Sequence, residues 1–395
     1  MIYNAIKEIN ISKLFTDFVR SEKTGGLLLI GCTALSLLFA NLAFGDSYRH
    51  FWHLYIDAGI PGLHLSLEHW INDGLMAIFF LLAGLEIERE LYRGELSDPK
   101  NALVPVLAAI GGMLLPAAIH FGFNRGTDAA SGFGIPMATD IAFALGVLSL
   151  LGNRIPVQVK IFLTACAIID DLGAVLVIAL FYTSDFALTQ LLISLGIFGI
   201  LLLCNVAKIR FLPLYIIGGI LMWYFMLQSG VHATISGVLL AFAIPFRGEE
   251  HHCPSLRVQH ALHKPVAFFI LPLFALANTA ILLSPESMRA LGGQNALGIL
   301  TGLILGKPLG ILLFVWLGIQ CRWIKLPEGL QYKHILAIGI IAGIGFTMSI
   351  FISNLAFADQ GMTDASKTAV MLASCIAGIA GYFLMGSLFR KKDAH

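Results

Sequence analysis

Long apolar runs separated by short polar segments follow one another along the 395-residue chain. A helical run of about 20 apolar residues crosses the hydrocarbon core of a bilayer. The pattern therefore predicts an all-α membrane protein of twelve transmembrane helices. The predicted spans are 24–43, 72–91, 102–123, 135–151, 157–182, 188–206, 212–228, 231–246, 264–283, 296–318, 335–357 and 366–389.

Lysine and arginine are unevenly distributed between the two sides that these spans define. Of the 25 lysines and arginines, 20 fall on the side of the chain ends, four on the other side and one, Lys307, within a span. Positive residues accumulate in the cytoplasmic segments of membrane proteins. We therefore predict a multi-pass protein with both ends in the cytoplasm.

Composition supports one integral membrane domain over 1–395. Hydrophobic residues make up 57% of the chain, charged residues 12%, and the mean hydropathy is +0.83. The net charge of +1 implies no nucleic acid or other polyanionic partner, and the bilayer itself is the expected surroundings. The predicted parts outside the membrane include a cytoplasmic N-terminal segment at 1–23 and a cytoplasmic tail at 390–395.

The segment 44–68 is the longest connection on the outer side. The run "LHLSLEHW" alternates apolar and polar residues, and "GIPG" before it is typical of a turn. This pattern favours an extracytoplasmic β-hairpin and an irregular loop equally. A lone hairpin is marginally stable in water, so a hairpin here would pair with a second copy and suggest a homodimer.

Two predicted spans contain breaks. Gly132, Gly134 and Pro136 occur in "SGFGIPMATDIAF", and Gly343 and Gly345 occur in "IAGIGFTMSIF". Irregular backbone at membrane depth is tolerated only against protein or water, and a pair of such breaks is typical of transporters built from inverted repeats. Close glycine packing between unbroken helices explains these glycines equally well.

Four ionisable residues lie deep in the predicted spans: Asp140, Asp170, Asp171 and Lys307. Each charge costs at least about 2.5–3.5 kcal/mol at the bilayer centre. Three acids cannot all pair with one base, so the fully ionised cluster would carry a net charge of −2. Such a cluster attracts a cation or holds protons.

The chemistry of carboxylates joins these two roles. Low dielectric disfavours an ionised carboxyl, whereas oxygen ligands suit a hard cation. A carboxylate that binds either a proton or a cation can exchange one for the other, which is antiport in outline. Neighbouring helical residues point about 100° apart, so one of Asp170 and Asp171 can face the ion while the other faces Lys307.

Other functions fit the sequence less well. An intramembrane aspartyl protease would need its aspartates on separate helices and a GxGD motif, and a zinc protease would need HExxH; neither motif occurs. A proton-coupled carrier of a small organic solute would need a sizeable polar pocket, yet small and aliphatic residues surround the acids. A passive channel does not need a buried lysine. We predict a secondary active transporter and not an enzyme.

Several long motifs resemble the NhaA family of bacterial sodium/proton antiporters, from about residue 24 to 389. They are "WINDGLMAIFFLLAGLEIERE" (70–90), "ATDIAFALGVLSLLG" (138–152), "AIIDDLGA" (167–174), "SGVHAT" (229–234), "LILGKPLG" (303–310) and "GIGFTMSIF" (343–351). The resemblance implies electrogenic, pH-regulated exchange of Na⁺ or Li⁺ for H⁺ by alternating access. It places the protein in the bacterial inner membrane and links it to salt tolerance, with no cofactor.

The resemblance also implies a role for each site residue. Asp170 and Asp171 would bind Na⁺ and carry protons, with Asp140 and Thr139 at the crossing of the two broken helices. Lys307 would pair with Asp170 or with the charged helix ends. The positions implied in the pH response are Glu86, Glu90, Arg257, His260, His263 and His232. A solvated helix end explains Glu86 and Glu90 equally well, and a lone histidine such as His232 is more often structural.

Gln259 departs from the family pattern, which has a glutamate at this position. Because the substitution removes one titratable group, we expect Gln259→Glu to shift the pH at which antiport is half-activated. The measurement is sodium-induced ΔpH collapse in everted vesicles at a series of pH values. Gln331→Glu, which adds the same charge to another predicted inner segment, is the control. An unchanged profile in Gln259→Glu would exclude this position from the pH response.

Overall fold

The computed structural model describes residues 24–57, 59–183, 187–247, 253–326 and 329–390. The predicted N-terminal segment 1–23 and the tail after residue 390 lie outside the described residues. Helices dominate the described part. They are α1 Thr24–Ala40, α2 Gly45–Trp52, α3 Leu67–Arg93, α4 Pro99–Asn124, α5 Ile141–Leu150, α6 Val157–Phe181, α7 Leu188–Val206, α8 Leu212–Leu227, α9 Ile235–Ala243, α10 Pro254–Asn278, α11 Pro285–Ala290, α12 Gln294–Gln320, α13 Tyr332–Ala342, α14 Phe346–Ala356 and α15 Gln360–Leu388.

Helix length and hydropathy support some of the predicted membrane spans among the described residues. Among the described residues, seven helices are long and apolar enough to cross a membrane, or ten if each of three bent helix pairs forms one span. The apolar run 212–228 forms the shorter helix α8, and only nine residues of 231–246 are helical, in α9. The multi-helix membrane architecture is thus present, whereas the count of twelve is not confirmed.

Two predicted boundaries differ most from the structure. The helix expected at 264–283 begins at Pro254, so it includes the segment that carries Arg257, His260 and His263. The helix expected to begin at 366 begins at Gln360, after the N-cap Asp359, whose side chain accepts a hydrogen bond from the Met362 amide. In both cases polar residues form the first turns, where hydropathy alone does not detect a helix.

The segment 44–68 contains both helical and extended structure. Helix α1 ends at Ala40 and the chain turns by 120° into α2. Strands β1, Tyr55–Asp57, and β2, His64–Ser66, then pair antiparallel, with Ile56 opposite Leu65. Ser66 caps the start of α3 by accepting a hydrogen bond from the His69 amide.

The two predicted breaks are present. A 3₁₀ helix, Asp128–Met137, meets α5 at an angle of 44°, and α13 meets α14 at 51°. Extended residues 138–140 separate the first pair, and Gly343 to Gly345 separate the second. The breaks contact each other directly, because the Asp140 amide donates to the Ile344 carbonyl over 2.7 Å. The two broken helices therefore cross at their unwound residues.

Helices α4 and α12 pack backbone to backbone beside this crossing. A Cβ atom on Gly111 would lie 2.2 Å from the Gly310 carbonyl oxygen, and one on Gly310 would lie 2.1 Å from that of Gly111. A Cβ atom on Gly112 would lie 2.9 Å from Cγ1 of Ile311, so this glycine also serves the close approach of α12. Small residues permit such close approach in membrane bundles, and here they bring Lys307 to the protein centre.

We expect Gly111→Ala to destabilise the protein, since the added methyl group forces α4 and α12 apart. Overpacking a close contact typically costs about 1–3 kcal/mol. The matched control is Gly122→Ala in the same helix, where a Cβ meets no atom within 4 Å. Thermal melting in detergent should show a lower midpoint for Gly111→Ala only; equal midpoints would refute the contact.

Candidate functional site

Two helix N-termini meet one carboxylate at the crossing. Asp140 caps α5, because its Oδ1 accepts a hydrogen bond from the Phe143 amide over 2.9 Å. Its Oδ2 accepts one from the Thr347 amide of α14 over 3.0 Å and another from the Thr347 hydroxyl. The positive ends of two helix dipoles and the side chain of Asp140, 2% exposed, thus compensate one another.

The two helix C-termini at the crossing meet hydrogen-bond donors. The Lys307 ammonium donates to the Met137 carbonyl at the end of the 3₁₀ helix. The Thr139 hydroxyl lies 3.0 Å from the Ala342 carbonyl at the end of α13. Both carbonyls belong to the last residue of their helix, where the helix itself provides no partner. Each of the four helix ends at the crossing thus has a polar side chain within hydrogen-bond distance, and the Thr139 hydroxyl, with its single proton, lies within reach of both the Ala342 carbonyl and Asp170.

Asp170 on α6 completes a buried cluster with Lys307 and Thr139. Its Oδ2 lies 2.8 Å from the Lys307 Nζ and 2.7 Å from the Thr139 hydroxyl. The Lys307 side chain is fully buried and that of Asp170 is 2% exposed. The structure thus brings Lys307 both to Asp170 and to a helix end, and the two pairings that the sequence left as alternatives coexist.

Asp171, the next residue, points to a different environment. It lines a cavity of about 50 Å³ together with Asp140, Thr347 and Glu86, between α3, α10 and the two broken helices. Its Oδ1 is buried and receives no hydrogen bond from the described residues, and the same holds for Oδ1 of Asp170. Because neighbouring residues of a helix point in different directions, Asp170 pairs with Lys307 while Asp171 faces the cavity.

The residues implied in the pH response do not form one cluster. Glu86 and His263 line the cavity that holds Asp171. Glu90 pairs with Arg89 over 2.8 Å. Arg257 and His260 are exposed on the first turns of α10. His232 lies elsewhere, where its Nε2 is 2.7 Å from the Tyr182 carbonyl just after α6.

The set of four buried charged residues predicted from the sequence is incomplete. The structure also buries Glu88, which accepts a hydrogen bond from the Ser255 hydroxyl over 2.8 Å, and Lys367, which lies 3.8 Å from Glu68. Lys367 lies at the outer edge of the predicted last span, 366–389, but α15 begins at Gln360 and therefore includes Lys367 well within the helix. Thr347, identified only by the glycines before it, proves to be a direct partner of Asp140.

Comparison with known proteins agrees with these features. The family model described as "Na+/H+ antiporter 1" matches residues 16–385. A Na(+)/H(+) antiporter NhaA of Flavobacterium psychrophilum is 58% identical over 95% of this chain and 96% of its own length. The NhaA antiporter of Dechloromonas aromatica is 54% identical over 98% of this chain and 98% of its own length. The NhaA antiporter of Vibrio cholerae is 46% identical over 95% of this chain and 98% of its own length. The resemblance inferred from the motifs is confirmed.

We expect Lys307→Ala to lower thermal stability strongly in detergent. The change leaves the Asp170 carboxylate and the Met137 carbonyl buried without their ammonium partner, and removing one member of a buried pair typically costs about 3–5 kcal/mol. Lys333→Ala, at an exposed position near the start of α13, is the control. Asp170→Asn combined with Lys307→Ala should recover part of the loss. Equal melting of Lys307→Ala and the parent would refute the pairing.

Proposed function

Because the chain belongs to the Na+/H+ antiporter 1 family, we propose that it exchanges Na⁺ or Li⁺ for H⁺ at the paired aspartates Asp170 and Asp171. Membership makes the protein a transporter and not an enzyme. Asp171 on the wall of the cavity supports this assignment most directly. Its carboxylate is accessible to a small ion, whereas Asp140 and Asp170 are already held by hydrogen bonds or a lysine.

A cation entering the cavity would meet oxygen ligands of the kind that hard cations prefer. Carboxylate oxygens of Asp171 and Asp140 and the Thr347 side chain line the cavity. Asp170 would join them when its contacts with Lys307 and Thr139 loosen. Protonation of the aspartates removes the negative charge that binds the cation. Protons and Na⁺ therefore compete for the same oxygens, and each species that binds displaces the other.

The crossing of the broken helices supports alternating access. The site rests on helix ends held by single side chains, namely Asp140, Lys307 and Thr139, instead of on continuous helix. Small rotations of the half-helices would change which side the cavity faces while the ligands stay together. This is the mechanism expected of inverted-repeat transporters, in which helix ends at the membrane midplane form the ion site.

Unequal charge transfer would make the exchange electrogenic. If two protons are exchanged for one Na⁺, each cycle moves one net charge. The membrane potential contributes about 2.3 kcal/mol per charge for every 100 mV. The paired acids can carry two protons, because Asp170 and Asp171 occupy separate environments within one helix turn. An interior-negative potential would then drive Na⁺ out of a bacterial cell.

The cavity size favours an inorganic ion over an organic solute. Its volume of about 50 Å³ suits an ion with a water or two, since liquid water takes about 30 Å³ per molecule. Pockets for small organic molecules typically measure about 300–1,000 Å³. A proton-coupled carrier of an organic solute is therefore the weaker candidate.

Regulation by pH would act through the cavity wall. Glu86 and His263 share the cavity with Asp171, so a change in their charge alters the field at the ion site over a short distance. Arg257, His260 and Glu90 lie on the same two helices and would act at longer range. His232, which contacts the Tyr182 carbonyl, would act through the end of α6 that carries both aspartates.

The proposed location is the bacterial inner membrane with both chain ends in the cytoplasm. The strand pair would then lie outside the cytoplasm. Strand β1 is exposed along its whole length and pairs on one side with β2, so its other edge is open to a second copy. A homodimer joined through residues 44–68 follows from that edge.

We expect Asp171→Asn to abolish sodium-driven proton movement. Asparagine keeps the size of the side chain but removes both the charge that binds Na⁺ and the group that releases a proton. The measurement is sodium-induced ΔpH collapse in everted vesicles, with protein amount checked by immunoblotting. Asp128→Asn, the same change at an exposed position, should retain parental activity. Full activity in Asp171→Asn would overturn the paired-aspartate mechanism.

A further inference from the structure

A second cavity, the strand-side cavity, lies at the end of the bundle near β1 and β2. It measures about 350 Å³ and lies between α2, the start of α3, the end of α10 and the start of α15. Both signs of charge line it: Arg49 and Lys367 are basic, and Glu68 and Asp364 are acidic. His50 and His53 complete its titratable groups. The proposed exchange cycle through Asp170 and Asp171 does not use any of these residues.

One ion pair joins two helices across this cavity. The Lys367 Nζ on α15 lies 3.8 Å from Oε1 of Glu68, the second residue of α3. The Lys367 side chain is 4% exposed and that of Glu68 is 17% exposed. The second carboxylate oxygen of Glu68 lies 3.4 Å from His53 Nδ1. Separating α3 from α15 would therefore break a largely desolvated contact.

Three asparagines lie beneath the strand-side cavity. Asn278, which lines the cavity, exchanges hydrogen bonds of 2.8 and 3.3 Å with Asn72 on α3. Asn354 on α14 donates to Asn278 over 2.6 Å. Asn354 follows Thr347 by seven residues, which is about 10 Å along the helix. A hydrogen-bonded polar layer thus connects the cavity with the helix whose N-terminus holds Asp140.

The two cavities lie toward opposite ends of α3. Glu68 lines the strand-side cavity and Glu86 lines the cavity of Asp171. Their separation of 18 positions corresponds to about 27 Å of helix, close to the thickness of the hydrocarbon core. A cavity lined by polar residues therefore lies on each side of the crossing of the broken helices. The three asparagines lie between the strand-side cavity and the proposed ion site.

We propose that the Glu68–Lys367 ion pair closes the strand-side path for ions, and that Glu68 faces the passing cation when the pair opens. The proposal rests on the proposed antiport. In the closed arrangement Lys367 neutralises Glu68 and holds α3 against α15, so no free carboxylate of Glu68 is available to a cation. When α3 and α15 separate, the carboxylate of Glu68 is released at the mouth of the path. Of the asparagine contacts, those between Asn72 and Asn278 involve α3, so a movement of α3 away from α10 would break them.

The test measures how often the strand-side cavity opens, independently of transport. In a full-length variant with all six cysteines replaced, Ala277→Cys introduces a thiol at a cavity position that is 6% exposed. Purified protein in detergent reacts with a polar maleimide, and the labelling rate is followed by mass spectrometry. We expect Glu68→Gln and Lys367→Gln each to raise the rate at least threefold. The exchange Glu68→Lys with Lys367→Glu should return it to the parental value.

Asp46→Asn is the matched control. It breaks the ion pair with Arg49 at the same end of the molecule, but Asp46 is exposed and does not line the cavity. Its labelling rate should equal that of the parent. Equal rates in Glu68→Gln and the parent would overturn the proposal, as would a charge exchange that labels as fast as the single variants. A monodisperse gel-filtration peak is required of every variant that is compared.

A transport measurement separates this proposal from the proposed function. With the cysteines retained, Glu68→Gln should change the concentration of Na⁺ needed for half-maximal exchange on the strand side at least threefold, and leave the value on the other side unchanged. Equal changes on both sides would contradict the gate. Loss of exchange in the parent protein would refute the antiport alone, whereas the labelling rates would still report on the ion pair.

Discussion

The buried ends of two broken helices are the constraint on which the rest of the structure depends. Four sets of backbone groups lose their intrahelical partners at the crossing, and hydrocarbon offers no replacement. Asp140 accepts hydrogen bonds from both N-termini, and Lys307 and Thr139 lie within hydrogen-bond distance of the two C-terminal carbonyls. The polar side chains that make the break tolerable are also residues of the proposed ion site. In that proposal, structural and functional requirements act on the same residues.

The packing around the crossing follows from that constraint. Lys307 reaches the Met137 carbonyl from α12, which packs closely against α4 at Gly111 and Gly310. Asp170 then gains the lysine as a partner, while Asp171 faces the neighbouring cavity. The proposed ion site therefore places an acid that lines a cavity beside acids held by hydrogen bonds or a lysine. The division of roles within the aspartate pair is a consequence of helix geometry.

Charge is also organised along α3, which links the ion site to both ends of the bundle. Glu86 lies beside Asp171, Glu88 meets Ser255 of α10, and Glu68 meets Lys367 of α15. A rotation of α3 against its neighbours would alter all three contacts at once. In the proposed cycle, α3 would join the cavity of Asp171 to the Glu68–Lys367 ion pair without any direct contact between the two.

The sequence alone determined the features that depend on local composition. Apolar runs identified the membrane helices, glycine and proline located the two breaks, and the cost of burying charge singled out Asp140, Asp170, Asp171 and Lys307. It missed the polar first turns of α10 and α15, because hydropathy does not detect helices that begin outside the apolar region, and its count of twelve spans stays a prediction. Only the tertiary structure decided which acid meets the lysine, that Thr347 binds Asp140, and that Glu68 meets Lys367 across 299 positions of the chain. These pairings depend on helix rotation and on contacts between distant segments, which no local pattern of residues encodes.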